Sequence, residues 1–267
     1  MKQNKTLVSI LIINYNNAKY LKRAIQSCLQ QTYSNVEILI FDDKSKDNSA
    51  SVLRKFSKNK KIKIYCNLRT KKNIAAFDAR NGYYYLFNKS KGDIICLLDS
   101  DDFFYKKKIL EIVNFFDKNK KKNFLQNLPI LLKENKKIFK MNLNSRLSFW
   151  PYLAPESCIS FRRLFMKIFI KKNKMYKNKF PSVWLGFRLG IFSYFQDKSF
   201  STINKNLTYY LSYGESKKYP TFGINWFARR LDSFMYLRKI TNKKISNKFN
   251  MDYLITLTLV KLLNFLK

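Results

Sequence analysis

Apolar residues fall along the first 120 or so positions in two alternating patterns. LVSILII (7–13), VEILIF (36–41), IKIYC (62–66) and DIICLLD (93–99) are short runs, apolar almost throughout and rich in β-branched residues. Between them, AKYLKRAIQSCLQQ (18–31), DNSASVLRKF (47–56), IAAFDARNGYYYLFN (74–88) and KKKILEIVNFFDKN (106–119) carry apolar residues on one helical face. The first pattern predicts buried strands and the second amphipathic helices. Leu21, Ala24, Ile25, Cys28 and Leu29 mark the face of the first helix, and Ile109, Ile112, Val113 and Phe116 that of the fourth. Asp47 and Ser49 are candidate caps of the second helix, and Gly82 weakens the third. Strands alternating with one-faced helices predict an α/β fold with a largely parallel sheet covered on both sides. In such sheets ligands sit at the carboxyl ends of the strands. Three polar stretches fall there: NYNN (14–17), DDKSKDNS (42–49) and DSDD (99–102).

Beyond about residue 123 the alternation stops. FLQNLPILLKENKKIFKMN (124–142) predicts two short strands about a polar turn, SCISFRRLFMKIFI (157–170) a strand running into a helix, and FPSVWLGFRLGIFSYF (180–195) a helix. WFARRLDSFMYLRK (226–239) and MDYLITLTLVKLLNFLK (251–267) predict two further amphipathic helices. No linker or internal repeat separates these parts. The expected organisation is a ligand-binding half over 1–123, a mixed half of the same domain over 124–225, and terminal helices over 226–267.

Composition narrows the chemistry. At 267 residues and 46% hydrophobic content the chain can bury a real core. Its longest apolar runs are too short to span a membrane and lack a cleavage site, so the expected location is cytoplasmic. The four cysteines form no CxxC pair and three lie in apolar patterns, which predicts reduced core thiols. Histidine is absent, which excludes a Ser–His–Asp triad, a Cys–His pair and an HExxH zinc site. Lys and Arg outnumber Asp and Glu by 53 to 17, a formal net charge of +36 that favours anionic partners. Part of this excess goes with the abundance of Asn, Ile, Phe and Tyr that an A/T-rich genome would encode.

Against that background Asp99, Asp101 and Asp102 stand within four residues at the end of a buried strand. Carboxylates so close repel one another unless a positive partner sits among them, and a divalent metal is the natural one. The joint pattern VSILIINYNN, QQTYSNVEILIFDDKSKDNS, ARN (79–81) and KGDIICLLDSDD resembles the bacterial family 2 glycosyltransferases of GT-A fold over residues 7–119. The resemblance implies inverting transfer of a sugar from a nucleotide-sugar, with UDP favoured. It implies Mg²⁺ or Mn²⁺ held by Asp101 and Asp102, with Asp99 on the ribose or a bound water. It implies donor contacts from Asn14, from Tyr15 packing on the base, from Asp43 on a base N–H and from Arg80 on a phosphate. Helix capping could account for one of the three acids at 99–102, not for all.

Inverting transfer needs a general base. Where the family carries acids in the second half, this chain has Ser182 and Gly186. Glu156, Asp197 and Glu215 are the candidates, and Glu156 is favoured because PESCISFRR resembles the acceptor-side strand. The implied acceptor is a bacterial cell-surface glycan or a lipid-linked glycan. The terminal basic, aromatic helices fit peripheral contact with an anionic membrane on its inner face. Two other readings stand beside this one: a non-catalytic binder of nucleotide-sugar or glycan, motivated by the missing acid, and a nucleic-acid-binding protein, motivated by charge alone. No nucleic-acid-binding motif supports the last.

Overall fold

The four apolar runs form strands β1 (Val8–Asn14), β2 (Val36–Asp42), β3 (Ile62–Cys66) and β4 (Ile94–Asp99). They are seen in a computed structural model that describes residues 6–68, 72, 74–133, 137–140, 150–211, 224–242 and 251–265. The strands pair in parallel in the order β3-β2-β1-β4. The intervening helices are α1 (Ala18–Leu29), α2 (Ser49–Arg54), α3 (Ala75–Lys89) and α4 (Lys108–Lys118).

Period-two alternation along each strand divides the core into two layers. Val8, Ile10, Ile12, Ile38, Ile40, Cys96 and Leu98 point to one face and pack with α1, α2 and α4. Leu11, Ile13, Leu39, Phe41, Ile95 and Leu97 point to the other and meet α3 and the later helices. Each fully buried Leu or Ile contributes about 1.5–3 kcal/mol, so the sheet centre anchors everything attached to it.

The sheet then continues without a break. β8 (Ile159–Arg162) pairs antiparallel with β4, and β6 (Phe124–Lys133) lies antiparallel beside β8. β7 (Lys137–Lys140) returns along β6, as the two-strand pattern predicts; the turn between them, and residues 141–142, lie outside the described residues. β8 leads into α5 (Arg163–Asn173), and α6 (Leu185–Phe195), α7 (Ile224–Ile240) and α8 (Met251–Phe265) follow.

Three features differ from the pattern. β9 (Thr202–Leu211) is a strand that TINKNLTYYL does not announce, since only Leu207 and Thr208 on it are buried. Parallel pairing to β6 and antiparallel pairing to the two-residue β5 (Phe103–Phe104) hold it in place. α3 runs unbroken through Gly82, because a Cβ there would come within 2.9 Å of Ile13 and Phe41: the glycine lets the helix lie close on the sheet. Finally, no acid caps α4: in its first turn the Ile109 amide donates to Gln31 Oε1 at 3.0 Å.

Register decides where the polar stretches emerge. Asn14 pairs with Asp42, Ile13 with Asp99 and Asp42 with Cys66. The three stretches therefore leave the sheet at one edge. The opposite edge is tied by Glu37, which accepts from Ser9 Oγ at 2.7 Å and from the Lys91 amide at 2.5 Å.

Candidate active site

Two turns frame the mouth of the sheet. Asn14 is wholly buried, and its Nδ2 donates to Asp42 Oδ1 at 2.7 Å and to Ser45 Oγ at 3.1 Å. Asp42 also accepts from the Ser45 amide and hydroxyl. Asn14 is implied as a donor contact; the structure gives its amide nitrogen to the turn and leaves Oδ1 without a hydrogen-bond partner. Asp47 accepts from the Ala18 amide at 2.8 Å and from Ser49, so one carboxylate serves the starts of both α1 and α2. These hydrogen bonds hold the Asp47 pKa below the ordinary carboxylate value against a desolvation that acts the other way.

Asp43 and Tyr15 flank this frame. Asp43 is buried, with its amide on Asn14 O at 2.8 Å and its Oδ1 accepting from Asn67 Nδ2 at 2.5 Å. Tyr15, directly after β1, is 38% exposed.

The 99–102 turn is the electrostatic centre. Asp99 Oδ1 accepts from Tyr83 Oη at 2.8 Å, and the Asp99 amide donates to Ser157 Oγ. Asp102 is buried; Oδ1 accepts from the Leu211 amide at 2.8 Å, and Oδ2 has no hydrogen-bond partner. Asp101 is half-buried between them. Burial, and then the neighbouring Asp101, push Asp99 up to about 7. Burial followed by Asp101 and Asp99 raises Asp102 well above the carboxylate range. Arg23 on α1 lies over the Phe103 ring, 4.1 Å from its centroid, and donates to Asp101 O at 3.3 Å.

Among the described residues no three Asp, Glu or Cys side chains gather around one point as a closed metal cage. The donor set still fits a hard divalent ion. Such an ion takes one or two carboxylates and completes its shell with phosphate and water oxygens. The unpartnered Asp102 Oδ2 and the half-buried Asp101 are ligands of that kind.

Glu156 opens a 3-10 turn (Glu156–Cys158) that enters β8. Its carboxyl is buried. Oε1 accepts from the Gly186 amide at 2.6 Å, in the first turn of α6, and Oε2 has no hydrogen-bond partner. A Cβ on Gly186 would come within 2.9 Å of Glu156 Cγ, so the glycine makes room for this approach. Glu156 thus brings a carboxyl to the first turn of α6. Burial and then Asp99 push Glu156 up to about 8.

The other expected residues lie elsewhere. The phosphate contact implied for Arg80 is corrected by its burial: the guanidinium donates to Val183 O at 2.8 Å and Lys177 O at 3.2 Å. Arg188 donates to the carbonyls of Tyr176, Lys179, Phe180 and Val183, and the two arginines together lock the approach to α6. Desolvation, then Arg188, lowers Arg80 to about 10. Asp197 accepts from Asn123 Nδ2, and the Asn123 carbonyl receives the Arg162 amide; Arg162 pairs with Ile94, at the far end of β4 from the mouth. Glu215 lies outside the described residues.

Sequence reasoning missed several residues. Tyr83 sits in an unremarkable YYY run three residues after Arg80, a spacing that does place both on one helical face. Asp232 on α7 accepts from Ser182 Oγ, in the segment where an acid is lacking. Lys108 is wholly buried under the site, donating to Thr208 Oγ1 at 2.8 Å and to Ser157 O, with desolvation lowering it to about 8.

Comparison with known proteins adds the following. The model of a family described as glycosyl transferase family 2 matches residues 9–198. A protein of Haemophilus influenzae named as an uncharacterized glycosyltransferase is 37% identical over 117 residues, 43% of this chain and 44% of its own length. The Escherichia coli UDP-Glc:alpha-D-GlcNAc-diphosphoundecaprenol beta-1,3-glucosyltransferase WfaP is 35% identical over 117 residues, 43% of each chain. The match thus spans less than half the length of these curated relatives. Among solved structures, S. aureus TarS 1-349 in complex with UDP-GlcNAc aligns with TM-score 0.62 at 16% identity, over 97% of this chain and 72% of that one. The mannosyltransferase PcManGT of Pyrobaculum calidifontis, in complex with GDP-Man and Mn²⁺, aligns with TM-score 0.61 at 11% identity, over 98% and 72%.

Proposed function

We propose, from the premise that the chain belongs to glycosyl transferase family 2 and has the GT-A fold, that this glycosyltransferase moves a sugar from a UDP-sugar to a phosphate-linked glycan acceptor with inversion at the anomeric carbon. The observation that carries the reading is the register of β1, β2 and β4, which brings Asp43 and Asp99–Asp102 to one edge of the sheet. UDP is favoured because TarS 1-349 has been solved with UDP and UDP-GlcNAc, and WfaP uses UDP-Glc. A lipid-linked acceptor is favoured by the diphosphoundecaprenol substrate in the name of WfaP.

Each residue then has a role. Tyr15 packs on the base and Asp43 accepts its N–H, which suits an acceptor-only carboxylate facing an imide. Asp99, oriented by Tyr83, binds the ribose. Asp101 and Asp102 would hold Mg²⁺ or Mn²⁺, whose charge offsets that developing on the departing nucleoside diphosphate. Glu156 takes the proton of the acceptor hydroxyl as the anomeric carbon forms its bond to that oxygen and breaks its bond to the donor phosphate. The Gly186 amide and the N-terminus of α6 favour the charged form of Glu156. Arg80 and Arg188 are positioning residues, since they fix the loop that delivers Gly186.

Glu156 at the start of α6 supports the catalytic reading over the non-catalytic one. For peripheral membrane contact, α8 offers an exposed stripe of Met251, Leu254, Ile255 and Leu262 at helical spacing, with Lys261 beside it. No described helix is long and apolar enough to cross a membrane.

A thermal-shift panel of UDP-, GDP- and dTDP-sugars, each with Mn²⁺, Mg²⁺ or EDTA, tests the donor site. A ligand that binds only the native state raises the melting temperature. The expected result is a metal-dependent shift with UDP-sugars; no shift with any donor in folded protein would refute the reading.

A further inference from the structure

Lys108 is wholly buried at the first residue of α4, where the helix dipole disfavours a positive charge. The Phe104 ring lies 3.8 Å from its Nζ, measured to the centroid, and the buried thiols of Cys28, Cys96 and Cys158 are its neighbours. Among the described residues no carboxylate forms an ion pair with it. A buried ammonium without a carboxylate partner costs stability, so folding alone does not account for this lysine. Its hydrogen bonds join three segments of the site. Nζ donates to Ser157 O and, at 2.8 Å, to Thr208 Oγ1. Ser157 directly follows Glu156, and its Oγ accepts from the Asp99 amide at 3.0 Å. Thr208 lies on β9, three residues before Leu211, whose amide holds Asp102 Oδ1 at 2.8 Å.

We propose that Lys108 is a positioning residue: it ties the Glu156 turn to the ends of β4 and β9, and so holds the acceptor-side carboxyl in fixed register with the donor-side aspartates. Its hydrogen bonds to charged-group strength outweigh what a neutral donor would give at the same place. The catalytic meaning of the tie rests on the transferase reading above; the tie itself does not.

Lys108→Met in the full chain provides the test, because methionine nearly keeps the length of the side chain and removes the ammonium. Ser157 O would keep only the longer bond from Thr208 Oγ1, at 3.2 Å. The variant should fold and melt at or above the wild-type temperature, since an apolar side chain replaces an unpaired buried charge. Hydrogen exchange should show the Asp99 and Gly186 amides, which donate to Ser157 Oγ and Glu156 Oε1, exchanging about tenfold faster or more, with the amides of β2 unchanged. With UDP-glucose or UDP-GlcNAc and Mn²⁺, the donor-induced thermal shift should persist. Release of UDP with water as the acceptor should fall about tenfold or more, because a misplaced catalytic group loses its geometry. A Lys108→Met variant that melts well below wild type or does not fold would make the lysine a structural prop and overturn the proposal. Asp99 and Gly186 amides that exchange at the wild-type rate would overturn it as well, as would loss of the donor shift or undiminished UDP release in the variant. A wild-type protein that neither binds nor hydrolyses either donor would count against the transferase reading, while the exchange result still decides the tie.

Discussion

The Glu156 carboxyl is held away from water by the same contact that presents it. A carboxyl whose folded pKa is raised binds its proton more readily in the native state than in the unfolded chain. Its contribution to stability is therefore greatest at low pH and is lost as pH rises from the ordinary carboxylate range through about 8. Glu156→Gln keeps an acceptor for the Gly186 amide and removes that loss. The variant should gain thermal stability relative to wild type between about pH 5 and about pH 9. Its transfer rate should fall on the order of 10²–10⁴-fold. Equal melting curves at both ends of the range would show that the carboxyl is not buried as described. Gly186→Ala tests the contact from the other side: the new methyl would press on Glu156 Cγ and Ile159. Steady-state kinetics should show kcat falling while the donor-induced thermal shift persists.

Element by element, the first half was legible because each strand is apolar on both faces and each helix on one. Those periods survive the abundance of lysine, since lysine collects on the outer helix faces. β9 was not legible: a strand with two buried residues has no period to read, and its pairing with β6 is a long-range event. Gly82 misled for a related reason, because the close approach of α3 to Ile13 and Phe41 is a tertiary fact. Within the site, Asp43 and Asp99–Asp102 were legible from their place at strand ends. The burial of Arg80 under the α6 loop was not, because its partners are backbone carbonyls about a hundred positions away. Gly92 is a glycine that an element requires. A Cβ there would lie 2.6 Å from the Ser9 amide nitrogen and 2.8 Å from Leu7 O, backbone atoms that cannot turn aside. Gly92→Ala should destabilise the fold by about 1–3 kcal/mol in urea unfolding, whereas a change under about 0.5 kcal/mol would mean that β4 enters the sheet differently.

At the scale of the whole molecule, the proposed membrane contact joins charge to the α8 stripe. A net charge of +36 would draw the protein to anionic surfaces, and Met251, Leu254, Ile255 and Leu262 would offer apolar contact once there. Co-sedimentation with vesicles containing anionic lipid should decline with salt, and Ile255→Asp should weaken it further; binding indifferent to both would leave the stripe without this role. The central claim is that one sheet edge binds a nucleotide-sugar while Glu156, reaching in from the side, activates the acceptor. Release of the nucleoside diphosphate, measured with donor, metal and acceptor on wild type, Asp101→Ala and Glu156→Gln, tests it most directly. Wild type should turn over; Asp101→Ala should fail to bind donor, and Glu156→Gln should bind donor and not turn it over. Turnover by Glu156→Gln at the wild-type rate, or metal-dependent donor binding undiminished in Asp101→Ala, would contradict it.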